Sequence, residues 1–265
     1  MGGIAEVHHF TYGWITPAFS YALSVLGSLL ALVCTARARN LDSPARKARW
    51  LALAAWALGG TGIWVMHFMA MLGFTVPGSA VRYDVATTMA SWVTAIAVVG
   101  IGLFIVGFGR RSVLKVLAGG LFAGLGVAAM HYTGMAAMRL NGVVAYDRRL
   151  VAASVVIAVV AATVALWFTV TLRRPVAIGI AALIMGVAVN GMHFTAMAAM
   201  RVHLHETVDD VSGVNALLFL GPIMLFVLLV TITLAYALLR STAGGGDTAW
   251  VYPRVQAPEP LARVR

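Results

Sequence analysis

Apolar residues fall into seven long runs separated by short polar turns, at about 17–36, 48–71, 85–108, 113–138, 150–172, 176–200 and 214–239. As a helix, each is long enough to cross a hydrocarbon core of about 30 Å, which takes roughly 20 residues. The pattern predicts an all-α integral membrane protein with seven transmembrane helices.

The runs repeat. Tyr12, Tyr83 and Tyr146 stand just before the odd-numbered runs, followed eight residues later by Ser20, Ser91 and Ser154, and twenty-seven residues later by Arg39, Arg110 and Arg173. Each copy turns through a basic loop into an even-numbered run, where Gly60, Gly124 and Gly186 precede His67, His131 and His193 by seven residues. The unit is a two-helix hairpin; three copies share parallel topology and the seventh run closes the set. Residues 1–240 read as one membrane domain, and residues 241–265, with Pro253, Pro258 and Pro260, as a short disordered basic cytoplasmic tail. Gly120 and Gly124 form a GxxxG step, which lets helix backbones approach closely in a bilayer.

Composition agrees with the runs: 61% of residues are hydrophobic and 11% charged, against about 25% charged in soluble domains. The net charge of +10 raises nucleic acid as a partner, but the distribution of Lys and Arg argues otherwise. Fourteen lie in the 1–2, 3–4 and 5–6 turns and the tail, and five on the other side. The positive-inside rule then places the N-terminus outside and the C-terminus in the cytoplasm of a multi-pass plasma membrane protein. The partner this implies is the lipid bilayer, with no nucleic acid. No Lys or Arg precedes the first run and no cleavage site follows it, so the first helix is expected to stay. The single cysteine, Cys34, gives neither a disulfide nor a thiolate cluster and reads as a packing residue.

The candidate chemistry lies at the outer ends of the even runs, which read VMHFMAM, AMHYTGMAAM and GMHFTAMAAM. On a helix, residues at i, i+4 and i+7 lie within roughly 60° of one another. This predicts one stripe of His131, Met135 and Met138, another of His193, Met197 and Met200, and a shorter one of His67 and Met71, where Phe74 takes the last place. Met66, Met130 and Met192 precede the histidines, and nine of the thirteen methionines fall in these windows. Thioethers are soft ligands and imidazole is borderline, so a Met and His set without carboxylates suits copper better than zinc, and excludes the hard cations. A single such histidine or methionine is more simply a packing residue; three copies at equivalent positions point to a site. Asp84 and Asp147, directly after Tyr83 and Tyr146, are candidate polar partners of the site or helix caps, and Asn190, three residues before His193, is a candidate contact. The outer acids Glu6, Glu206, Asp209 and Asp210 share that rim.

Met130-His131-Tyr132-Thr133, with the variants MHFM at Met66 and MHFT at Met192, resembles the signature of the MHYT domain, a bacterial integral-membrane sensor module. The resemblance runs from about Val7 to Leu239. It implies copper held by Met and His near the outer face and sensing of a diatomic gas such as oxygen, carbon monoxide or nitric oxide, or of redox state. In other members the domain is often joined to cyclic-di-GMP synthesis and hydrolysis domains or to DNA-binding output. About twenty-five residues follow the last run here, so a separate cytoplasmic or membrane signalling partner is expected.

Three functions compete at this stage. A metal-containing sensor uses the motif directly. A copper-handling transporter needs polar groups through mid-membrane, where the even runs hold mostly Ala, Leu, Val and Gly. A structural or haem-binding protein uses the histidines for packing or as paired axial ligands. Catalysis is not expected, since no nucleophile, base and orienter set can be assembled from the spacing. The deciding geometry is whether the imidazoles converge: more than about 10 Å apart they could not share one metal, given bonds of about 2 Å.

Overall fold

The structure is a computed structural model describing residues 4–110, 112–205 and 210–243. Arg111, Glu206, Asp209 and the tail from residue 244 lie outside the described residues. Among those described are seven helical spans long and apolar enough to cross a membrane. In chain order the helices are α1 (Ile15–Arg39), α2 (Pro44–Ala55), which runs through a π-helical stretch (Trp56–Val65) into α3 (Met66–Met71), α4 (Val85–Gly107), α5 (Val113–Ala136), α6 (Arg148–Thr171), α7 (Pro175–Ala198) and α8 (Ala216–Ala243).

Six spans form a closed ring. The span α2–α3 lies between α1 and α4, followed by α5, α6 and α7, and α7 returns to α1. The contacts are close because small residues face neighbouring backbone. A Cβ on Gly124 would stand 2.4 Å from Val159 Cα on α6, and one on Gly27 2.4 Å from the Gly62 nitrogen. The GxxxG step does give close approach, but its partner is α6, the fifth span, and not another even-numbered one: Gly120 meets Thr163 and Gly124 meets Val159. The π-helical stretch was not legible in advance; π segments often occur at functional positions. Here it carries glycines that meet two neighbours, Gly59 against the Ala95 carbonyl on α4 and Gly62 against α1. The seventh span packs outside the ring on this stretch, where Thr61 and Thr231 share a hydrogen bond, and α2–α3 is accordingly the most buried span.

The segment before α1 and the loops that follow the motif-bearing helices carry short strands, which the apolar pattern alone did not predict. Strand β1 (Ile4–Ala5) pairs with β5 (Met200–Leu204), which also pairs with β4 (Gly142–Tyr146). In the second sheet β2 (Arg82–Tyr83) lies between β3 (Met138–Arg139) and β6 (Val214–Asn215). These strands correct two boundaries and one geometric expectation. The fourth and sixth helical spans end at Ala136 and Ala198, so Met138 and Met200 lie in strands, paired with Tyr83 and Tyr146, and are not third members of helical stripes. The cause is a repeated backbone hydrogen bond that draws the chain out of helix. Asp84 donates to the Ala137 carbonyl and Asp147 to the Ala199 carbonyl, both 2.8 Å, and Thr11 donates to Gly73 at 3.0 Å in the first copy. Each acceptor lies six residues after a motif histidine.

Candidate metal centre

Each motif histidine sits within about a turn and a half of the end of its helix, on α3, α5 and α7. The ring brings them together at its axis. The ring centroids of His67, His131 and His193 are 4.7, 5.0 and 5.1 Å apart, each pair edge to face, and all three side chains are 1% exposed. One nitrogen from each lies within 4.8 Å of the other two. His67 Nδ1 and His193 Nδ1 share a hydrogen bond at 3.1 Å, a spacing also close to the roughly 3.3 Å between two ligands on one tetrahedral ion at about 2 Å. His67 Nε2 and His131 Nε2 are buried with no hydrogen-bond partner among the described residues. Buried polar atoms are nearly always paired, so these two nitrogens are free to take a ligand, His67 offering an ion either Nδ1 or Nε2 but not both. Room for the His67 ring comes from Gly134 on α5, whose Cβ would lie 2.8 Å from His67 Nε2.

Two further sets of three residues lock the motif helices. Ser91 on α4 accepts a hydrogen bond from Trp64 Nε1 at 3.0 Å; Ser154 on α6 shares one with the Tyr132 hydroxyl at 2.8 Å; Ser20 on α1 donates to Asn190 Oδ1 at 2.8 Å. All three serines are fully buried. The aromatic residue after each histidine packs on another at the start of the same neighbouring span: Phe68 on Tyr83, Tyr132 on Tyr146 and Phe194 on Phe10, with centroids 5.6 to 5.7 Å apart. Thus α3 is tied to α4, α5 to α6, and α7 back to α1. In the sequence the serines mark the register of the repeat and show no role. Their partners stand at different offsets from histidine, minus three for Trp64 and Asn190 and plus one for Tyr132, so no shared spacing reveals them.

The remaining predicted residues have definite places. Met71, Met135 and Met197 are buried one turn beyond their histidines; Met66, Met130 and Met192 are buried beside them in sequence, and Met138 and Met200 are buried in strands. Asp84 caps α4, accepting from the Thr87 nitrogen and hydroxyl at 2.9 and 2.7 Å, with Arg139 at 3.6 Å. Those hydrogen bonds first, then the Arg139 charge, hold its carboxyl below the ordinary carboxylate range. Asp147 caps α6 through the Arg149 and Leu150 nitrogens. Asn190 is 8% exposed and bonds Ser20, Ser24 and the Gly186 carbonyl, so it acts between α7 and α1. Burial pushes the Tyr83 phenol up from its ordinary value, and burial followed by the Tyr132 hydroxyl does the same for Tyr146.

The threefold arrangement has a counterpart among known proteins. A family model, MHYT, described as a bacterial signalling protein N-terminal repeat, matches residues 60–120, 124–182 and 186–246. The chain belongs to the MHYT family. The three MHYT matches begin at Gly60, Gly124 and Gly186 and run from a motif helix into the following helix. That frame pairs the helices joined by the Trp64–Ser91 and Tyr132–Ser154 contacts. Two Pseudomonas aeruginosa relatives are the bifunctional diguanylate cyclase/cyclic di-GMP phosphodiesterase MucR, 37% identical over 73% of this chain and 29% of its own length, and the cyclic di-GMP phosphodiesterase NbdA, 38% identical over 72% and 24%. The signaling protein YkoW of Bacillus subtilis is 25% identical over 74% of this chain and 25% of its own. The chain therefore spans about a quarter of the length of these relatives. No solved structure matches. Family and helices together make this a multi-pass membrane signalling protein carrying MHYT repeats.

Proposed function

We propose that the domain is a membrane sensor that holds one copper ion between His67, His131 and His193 near the outer face of the bilayer and responds to a diatomic gas or to redox state. The observation that carries this reading is the convergence of three buried imidazoles, one from each repeat, with two nitrogens unpartnered. Three neutral imidazoles lined by thioether-bearing helices suit copper, which also stands highest among divalent first-row metals in affinity for such sites. The ion would supply a redox-active centre with an open position for a small ligand. The protein residues hold the ligand geometry, exclude water and connect the centre to three helices at once. Centroid separations of about 5 Å among all three histidines leave no slot for a porphyrin between any two, which favours a single ion over haem. Ion transport is disfavoured by the apolar lining of the space on the inner side of the triad.

The ties through Ser91, Ser154 and Asn190 suggest how a change at the centre travels: altered coordination shifts α3, α5 and α7 against α4, α6 and α1, and the basic loops at the opposite ends of those spans report it to a cytoplasmic or membrane signalling partner. Orientation with the N-terminus outside follows the basic-loop count, and no catalytic step is assigned to the membrane domain itself. The test is metal analysis with an optical spectrum of protein purified in detergent. About one copper per chain is expected, falling to background when the three histidines are replaced by Ala. Equal metal in the wild type and that triple variant would overturn the reading, and a Soret band would replace it with haem.

A further inference from the structure

A cavity of about 60 Å³ lies inside the ring. Ile63, Val127 and Val189 all line it, and each stands four residues before a motif histidine. The cavity therefore begins about one turn deeper in the membrane than the triad, beneath all three imidazoles, and its lining runs on to Thr169, two residues from the end of α6. Its lining is apolar apart from Thr169, whose hydroxyl is spent on the Leu166 carbonyl at 2.7 Å. A water needs about 10–15 Å³ and two or more polar partners, so this cavity has the room but not the partners and is dry.

Its walls are not equally closed. Ala161 and Ala162 on α6 and Ala188 and Val189 on α7 are half-buried, whereas the lining residues from the other spans are buried. The open side is thus the α6–α7 seam, flanked by Val160, Val164 and Val187, which are exposed on the lipid-facing surface. At about 60 Å³ the cavity is well below the roughly 150 Å³ that takes a benzene ring, so it has no room for a quinone ring, and its dryness excludes ions and polar solutes.

We infer that the α6–α7 seam and the cavity behind it are the entry path and holding site for a small, uncharged, apolar molecule, a diatomic gas, reaching the histidine triad from the bilayer rather than from the outer aqueous face. The inference rests on the metal reading for its destination but not for the cavity itself. Gases of this class partition from water into lipid, so a lateral door draws on the more concentrated phase. Small alanines at the seam keep it passable without opening a route for water.

Xenon serves as the probe, applied under pressure to the full chain in nanodiscs and read by xenon NMR shifts of Ala162 and Val189 methyls, with Ala162→Leu and Ala188→Leu as blocking variants and Val189→Ala as a widening one. Wild type should show saturable shifts at these methyls, reduced at least fivefold by either leucine and enhanced by Val189→Ala. In copper-loaded protein, carbon monoxide association should slow about tenfold in the leucine variants while equilibrium affinity stays within twofold, because narrowing a path changes entry and exit alike. Should the leucine variants fail to fold, faster association in Val189→Ala carries the same test. Absence of xenon shifts at the seam, or association rates unchanged in folded variants, would overturn the inference. Saturable xenon binding in a protein that takes up no copper would support the cavity and remove the metal reading, so the two fail separately.

Discussion

Gly134 shows how narrowly single residues constrain the triad. Its missing side chain makes space for the His67 imidazole, and an added Cβ would come within 2.8 Å of Nε2 and 3.3 Å of Cδ2. Gly134→Ala should rotate that ring and lower copper affinity at least about tenfold, since overpacking of this kind typically costs about 1–3 kcal/mol. A chelator competition titration, with circular dichroism to confirm unchanged helix content, checks it. Asp84 gives a pH dependence of known sign. Its carboxyl lies below the ordinary range because the folded state bonds the ionised form, so its stabilising effect is complete above the unfolded value near pH 4 and drains away as pH falls through the lowered folded value. Asp84→Asn should therefore shallow the acid limb of a stability–pH curve and leave its slope near pH 7 unchanged. The histidines themselves were legible from the sequence as residues that do not belong on a lipid-filling helix. Gly134 was not, because a partner on α3, with α4 lying between, leaves no trace in local spacing.

At the scale of elements, helix packing and helix ends followed different rules. Packing was legible: the GxxxG step predicted close approach, and Gly124 meets Val159 backbone on α6. Gly124→Ala should force the α5 and α6 axes apart and cost about 1–3 kcal/mol or more, seen as a lower midpoint in thermal or detergent unfolding. Helix ends were less legible. The apolar runs continue through Met138 and Met200, yet the helices stop at Ala136 and Ala198 because Asp84 and Asp147 hydrogen-bond the carbonyls at Ala137 and Ala199. Hydropathy measures what lipid accepts, and these methionines are equally acceptable inside a small sheet. The π-helical stretch escaped for a related reason, since its glycines signal close approach without saying that the backbone repeat will change.

Across the whole molecule, α7 closes the ring on α1, and Asn190 is the polar residue at that seam. Asn190→Ala should lower stability by about 1 kcal/mol, in the range of hydrogen bonds between membrane helices, and weaken copper binding because His193 loses its fixed position against His67. Unfolding and metal titration on the same variant test both. Sequence alone determined the seven spans, their threefold repeat, the end of the bundle that carries the histidines and the identity of the candidate ligands, because hydrophobic length, basic turns and motif spacing are properties of one strip of chain. Only the tertiary structure decided that the three histidines meet at one point, that the serines and aromatic residues tie each motif helix to the next span, and that a dry cavity lies beneath the triad. Those facts depend on ring closure between residues such as Ser20 and Asn190, 170 positions apart, and on which backbones come within contact, which side-chain order along the chain does not encode.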